Sequence, residues 1–96
     1  MLFRSRVDLA NRLVTRGDAQ VHLTPIEYRL LAVLIAHRGK VMTHRELLRE
    51  VWGPAHSESS HYLRVYMGHL RHKLEMDPAQ PVHLLTEVGV GYRFAG

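Results

Sequence analysis

Apolar residues recur along this chain with two periods. From His61 to Glu75, Leu63, Met67, Leu70 and Leu74 fall at i, i+4, i+7 and i+11, the spacing of one face of an α-helix. Upstream, Ile26, Leu30, Leu31, Val33, Leu34 and Ile35 follow Thr24-Pro25-Ile26-Glu27. There Thr24 can cap a helix, Pro25 suits its first position, and Glu27 completes a capping box. Apolar side chains cover more than half the circumference of this helix, which makes it the central core helix. Gly39, after His37-Arg38, stops it. Thr43-His44-Arg45-Glu46 repeats the capping-box spacing and opens a short helix, with Leu47, Leu48, Val51 and Trp52 as its apolar side. Gly53-Pro54 ends it. A polar loop leads to Ser59 or Ser60, either of which can cap the long helix of residues 60–75. Met76-Asp77-Pro78 terminates that helix.

Both flanks of the helices change to a period of two. Val7 and Leu9 alternate with Asp8 and Ala10, and Leu13 and Val14 follow Asn11-Arg12. Gly17-Asp18 is a turn signal between RLVTR and AQVHL. With Leu2-Phe3-Arg4 this predicts a meander of up to four short antiparallel strands, a small sheet packed on the helices. Leu84 to Val88 and Tyr92 to Phe94 predict a closing hairpin with Gly89-Val90-Gly91 at its tip. No repeat or low-complexity segment interrupts this order.

Length and composition narrow the class. Ninety-six residues make one domain, 1–96, with room for a single small core. A hydrophobic content of 46% is ordinary for a globular chain. Without Cys, neither a disulfide nor a thiolate metal site can hold the fold, and an intracellular setting is compatible. No apolar run approaches the ~20 residues of a membrane span, and Met1-Leu2-Phe3-Arg4 does not begin a signal peptide. The expected location is cytoplasmic. Thirteen Lys and Arg against nine Asp and Glu give a net charge of +4, which favours an anionic partner.

The long helix turns that charge into a candidate site. Opposite its apolar face lie His61, Tyr62, Val65, Gly68, His69 and His72. Arg64 and Arg71 flank them on one side, Tyr66 and Lys73 on the other. A helix that only faced water would favour Glu, Lys and Ala. This face has almost no acid and offers rings, cations and a glycine. Gly68 costs ~1 kcal/mol against Ala in a helix interior, so a close approach is expected there. These are the properties of a helix laid in a DNA groove.

The order of sheet, three helices and hairpin is that of a winged helix-turn-helix. The motifs LTPIEYRLLAVLIAHRGKVMTHRELLREVWG (23–53), YLRVYMGHLRHKLE (62–75) and TEVGVGYRF (86–94) resemble the C-terminal DNA-binding domain of OmpR/PhoB-type response regulators. With the strands before them, they cover essentially the whole chain. HYLRVYMGHLRHKLE and Trp52-Gly53-Pro54 look most like the branch that regulates potassium-transport genes. The resemblance implies an α+β fold: an N-terminal four-stranded antiparallel sheet, three helices and a C-terminal hairpin wing. It also implies sequence-specific binding to double-stranded promoter DNA. Two copies are expected on direct-repeat half-sites about one helical turn apart, with the isolated domain a monomer in solution. Relatives normally carry an N-terminal receiver domain, phosphorylated on an Asp; the 96 residues hold the output domain alone.

Roles follow for particular residues. The long helix enters the major groove. His69 is the first candidate base reader, at a position where related proteins often place an Arg; a His can donate to guanine N7 or O6. Val65 can contact a thymine methyl, Gly68 lets the backbone come close, and His61 and His72 extend the face. Arg64, Tyr66, Arg71 and Lys73 suit phosphates. The L-R-x-K-L unit around Arg71 resembles the phosphate-contacting element of the family, against a plain ion pair with Glu75. Thr43, His44 and Arg45, at the amino end of the short helix, form a natural phosphate seat, although capping explains Thr43 equally well. The indole of Trp52 can reach a phosphate, as in similar proteins, or be buried. In the wing, several relatives carry an Arg just before the first tip glycine; here Val88 stands there, after Glu87. Thr86 and Tyr92 remain backbone-contact candidates and Arg93 the best remaining cation. The resemblance also implies that loop 54–58 faces RNA polymerase.

Two other classes compete. Eight His raise a metal-dependent enzyme, and His69 and His72 at i, i+3 could share a metal. No H-E-x-x-H, carboxylate cluster, Gly-rich phosphate loop or catalytic triad supports it, so neither enzyme nor cofactor nor metal is expected. A winged helix used mainly for protein contact, with non-specific DNA affinity, is the main alternative. RNA is disfavoured, because a helix cannot enter the A-form major groove.

Overall fold

The computed structural model describes residues 5–8, 13–17, 19–56 and 59–96. The first strands form a three-stranded antiparallel sheet in the order β1-β2-β3: β1 (Ser5–Asp8), β2 (Leu13–Arg16) and β3 (Ala19–Gln20). Gly17, at φ 62°, makes the turn that sets Arg16 against Ala19 and Thr15 against Gln20. The expected four-stranded lead-in is therefore corrected to three strands among the described residues. Leu2-Phe3-Arg4, Leu9-Ala10 and Asn11-Arg12 lie outside them.

Helix α1 (Pro25–Ala36) starts as its sequence dictates. Thr24 Oγ1 accepts the Glu27 N–H at 3.3 Å, and Glu27 Oε1 accepts the Thr24 N–H at 2.9 Å. Leu30, Leu31 and Leu34 are fully buried. Ile26, Val33 and Ala36, on its other apolar side, line an open groove of about 550 Å³ with His37 and Glu50. A strand missed in the sequence follows: β4 (Val41–Thr43). Helix α2 (His44–Trp52) repeats the capping box, with Thr43 and Glu46 exchanging bonds of 2.9 and 3.1 Å. Gly53, at φ 106°, ends it and leads to a short 3-10 turn at Pro54–His56. Helix α3 (Ser60–Leu74) has Ser59 at its N-cap position, but the Ser59 side chain makes no capping hydrogen bond, contrary to expectation.

Strands β5 (Leu84–Glu87) and β6 (Gly91–Phe94) form the closing hairpin, with Gly89 at φ 76° in its turn. The hairpin is not isolated. Met42 of β4 pairs with Tyr92 of β6, so the second sheet runs β4-β6-β5. The missed strand was too short to show a period, and both its ends are claimed by neighbouring helix signals. Gly91 is fixed by this pairing, because a Cβ there would collide with the Met42 carbonyl.

One core joins these parts. Leu63, Met67, Leu70 and Leu74 of α3 pack with the buried residues of α1, with Leu47, Leu48 and Val51 of α2, and with Met42, Leu84, Tyr92 and Phe94 of the second sheet. Glu75, directly after α3, is buried with them. Its carboxylate accepts three backbone N–H groups: Val82 at 3.3 Å, His83 at 3.0 Å and Leu84 at 2.7 Å. An acid thus fastens the end of α3 to the start of β5. Glu75→Ala leaves those donors without their acceptor, the Leu84 N–H in a buried site, and we expect a loss of ~3 kcal/mol in stability, measured by urea unfolding. A loss under ~1 kcal/mol would rule out this anchoring role.

Candidate nucleic-acid interface

The outward face of α3 carries His61, Tyr62, Arg64, Val65, His69 and His72, all exposed. Gly68 lies among them, and a Cβ added to it would meet nothing within 4 Å. The backbone is therefore open to an outside group at that point. No acid lies between Ser60 and Leu74. The sequence-predicted base readers are brought together on one accessible face. One edge of that face is aromatic: Trp52 packs against Tyr66 and Tyr66 against His69, each pair 5.4 Å between ring centroids.

The cations expected beside this face are differently disposed. Lys73 turns toward α1, where its Nζ donates to Glu27 Oε1 at 2.6 Å and to the His22 carbonyl at 2.9 Å. In this position it bridges α3 to α1. Burial pushes the Glu27 carboxyl up, but the Lys73 ammonium, the Thr24 N–H and His69 together hold it below its ordinary value. His69 shares this carboxylate, its Nδ1 lying 3.4 Å from Oε2, while its side chain stays 53% exposed.

On the other flank, Arg71 reaches the wing. Its Nε donates to the Leu84 carbonyl at 2.9 Å and its Nη2 to Thr86 Oγ1 at 2.7 Å. The guanidinium lies 5.7 Å from the centroid of the Tyr92 ring. Burial lowers its pKa, with Tyr92 and Glu75 acting the other way. Arg71 therefore ties α3 to β5, and the simple ion pair with Glu75 is not formed: that carboxylate holds backbone N–H groups instead. Thr86 is exposed with its hydroxyl engaged by Arg71, whereas Tyr92 is buried between Arg71 and His44, whose ring is 5.4 Å away. Arg93 pairs with Glu87 at 3.0 Å, so the best wing cation is neutralised by the wing acid. At the tip, Val88 is 91% exposed.

The amino end of α2 is largely closed. The Thr43 and Glu46 N–H groups are used by their own capping box, and the His44 N–H faces the Val90 carbonyl at 3.4 Å. The Thr43 N–H bond, with the bond from the Thr43 side chain, holds the Glu46 carboxyl below its ordinary value. An ionised acid at this helix start opposes a phosphate there. Arg45 is exposed beside it. Trp52 is half-buried against Tyr66 rather than sunk in the core. Of loop 54–58, residues 57 and 58 lie outside the described residues.

Sequence reasoning missed Glu27 and Glu75 as organisers of this region. Glu27 was accounted for by its capping motif. The available signal was an acid on the apolar side of a helix start, and for Glu75 an acid directly after the last apolar residue of α3. Among the described residues, no group of three His, Asp or Glu could hold a metal ion, and no helix is long and apolar enough to cross a membrane.

A three-helix core whose last helix shows one acid-free face, beside a short-stranded hairpin, defines a winged helix-turn-helix of the α+β class. Residues 18–94 match the family described as "Transcriptional regulatory protein, C terminal", and the chain belongs to that family. It is a family of transcriptional regulators, not of enzymes. The chain is 66% identical over 92% of its length to the KDP operon transcriptional regulatory protein KdpE of Escherichia coli (strain K12). It is 57% identical over 92% to KdpE of Mycobacterium tuberculosis (strain H37Rv). In both cases the chain spans 39% of the relative. Among solved structures, it is similar to the DNA-binding domain of Klebsiella pneumoniae RstA in complex with the RstA box, with TM-score 0.85, 28% identity and coverage of 99% of this chain and 95% of that one. It is also similar to the Thermotoga maritima response regulator DrrB, an OmpR/PhoB homolog, with TM-score 0.87, 28% identity and coverage of 100% of this chain and 43% of that one.

Two outcomes follow. A lowered Glu27 carboxyl adds stability that is fully present above about pH 4.5 and is lost as pH falls through its lower folded value. Urea midpoints should fall on acidification below about pH 4.5, and less steeply in Glu27→Gln. An identical acid limb in the variant would dismiss Glu27 as a source. Lys73→Ala should cost ~2 kcal/mol of stability while changing the salt dependence of DNA binding by less than about one unit. A full unit of change would return Lys73 to the phosphate contacts.

Proposed function

We propose that this chain binds double-stranded DNA sequence-specifically at promoters, as the output domain of a two-component response regulator. The observation that carries this reading is the exposed face of α3: rings, a cation and an open glycine, with no acid in the helix itself. A B-form major groove admits one such helix and displays donors, acceptors and thymine methyls along its floor. His61, Val65, Gly68, His69 and His72 are the base-facing set. Arg64, exposed on that helix, contacts phosphate, with Tyr66, the Trp52 indole, Arg45 and the outer edge of the Arg71–Thr86 pair supporting it. The wing adds little cationic attraction, because Arg93 and Glu87 cancel.

The similarity to KdpE, by name a regulator of the KDP operon, supports potassium-transport genes as targets. Two copies on direct-repeat half-sites, a monomer in solution, a cytoplasmic setting and a contact of loop 54–58 with RNA polymerase complete the proposal. All four follow the family pattern.

The test is selection of bound sequences from random duplexes, using the 96-residue chain at near-physiological salt. Two short repeats about one helical turn apart are expected. Binding with no enriched motif would favour a protein-contact role with non-specific DNA affinity. On the selected site, Arg64→Ala should weaken binding to all duplexes alike and flatten the salt slope by about one unit. An unchanged slope would remove Arg64 from the phosphate contacts.

A further inference from the structure

We propose that the carboxylate of Glu27, a core residue of α1, determines which bases His69 reads. The inference deepens the groove role given to α3 and rests on it.

A neutral imidazole has one N–H and one lone pair, and surroundings choose which nitrogen carries which. His69 Nδ1 lies 3.4 Å from Glu27 Oε2. A lone pair on Nδ1 would set two electron-rich atoms against each other at that distance, whereas an N–H there is attracted. The carboxylate therefore favours the Nδ1–H tautomer and leaves the lone pair on Nε2. The side chain is 53% exposed, so Nε2 is the nitrogen left for an outside partner. Lys73 does not displace this arrangement, because it takes the other oxygen, Oε1, at 2.6 Å. The charged and titratable groups around the ring are Glu27 from α1, with Lys73 and the edge-on Tyr66 ring from α3.

An acceptor at Nε2 reverses the pairing expected of a histidine in this position. In the major groove guanine shows N7 and O6, both acceptors; adenine and cytosine show amine donors. Neutral His69 thus selects the N6 amine of adenine or the N4 amine of cytosine and is repelled by guanine. Protonation places an N–H on Nε2 and turns the preference toward guanine. A residue that touches no DNA would in this way set a base preference, and would make it depend on pH.

The first test is a long-range proton–nitrogen correlation spectrum of the free domain at neutral pH. The Nδ1–H tautomer of His69 is expected; the Nε2–H tautomer overturns the proposal, whatever the DNA result. The second uses the selected site. At the base pair where His69→Ala loses discrimination, the wild type should prefer adenine or cytosine by roughly tenfold or more at neutral pH. Replacing an adenine there by purine, which lacks the amine, should abolish that preference. Acidification should shift it toward guanine. A neutral-pH preference for guanine, abolished by 7-deazaguanine, overturns the role of Glu27 while keeping His69 as a reader. If His69→Ala changes preference at no position, the reading role of His69 itself fails, and the inference falls with it.

Discussion

A helix that leaves one face open to an outside partner must be held entirely from its other side. Four apolar residues of α3, Leu63, Met67, Leu70 and Leu74, supply the burial, but burial alone fixes neither rotation nor tilt. Two carboxylates supply direction. Glu27 reaches from α1 to Lys73 and His69, and Glu75 takes three backbone N–H groups at the start of β5. Arg71 adds a third tie, to Leu84 and Thr86. Each is a charge-assisted contact with defined geometry, and together they set the helix in a single orientation relative to the hairpin.

The arrangement explains why three cations expected to face DNA are engaged inside the domain. Lys73, Arg71 and Arg93 all have internal partners. A positively charged chain is thus not the same as a positively charged face. What remains on α3 is mainly ring chemistry around one arginine, a composition better suited to reading a pattern than to general attraction by phosphates.

The helices were legible because their signals are local. Both capping boxes, Gly53 and the four-residue apolar stripe of α3 formed as their spacing dictates. The hairpin was legible through Gly89 and the alternation beside it. Strand β4 was not, since three residues carry no period and its pairing partner lies fifty positions away in β6. Separation in sequence also hid the partners of the side chains, 46 positions for Lys73 with Glu27 and 13 and 15 for Arg71 with Leu84 and Thr86. Residue type places Lys73 and Arg71 on a basic helix flank, but whether such a cation faces outward depends on an acid or carbonyl supplied by another element. Glu27 looked complete as a cap, and nothing local in the chain tells that its second oxygen meets His69.

The position of β6 at the centre of its sheet has a consequence for how the domain comes into being. Residues 91–94 bridge β4, at Val41–Thr43, to β5, at Leu84–Glu87. Until they have been synthesised, β4 has no neighbour, Glu75 has no settled strand to grip, and the core is open where Tyr92 and Phe94 belong. The three helices can form early from their own sequences, yet their packing is completed by some of the last residues of the 96. Such non-local closure slows folding relative to a purely helical bundle. The final seating of α3 therefore depends on residues that come after it in the chain.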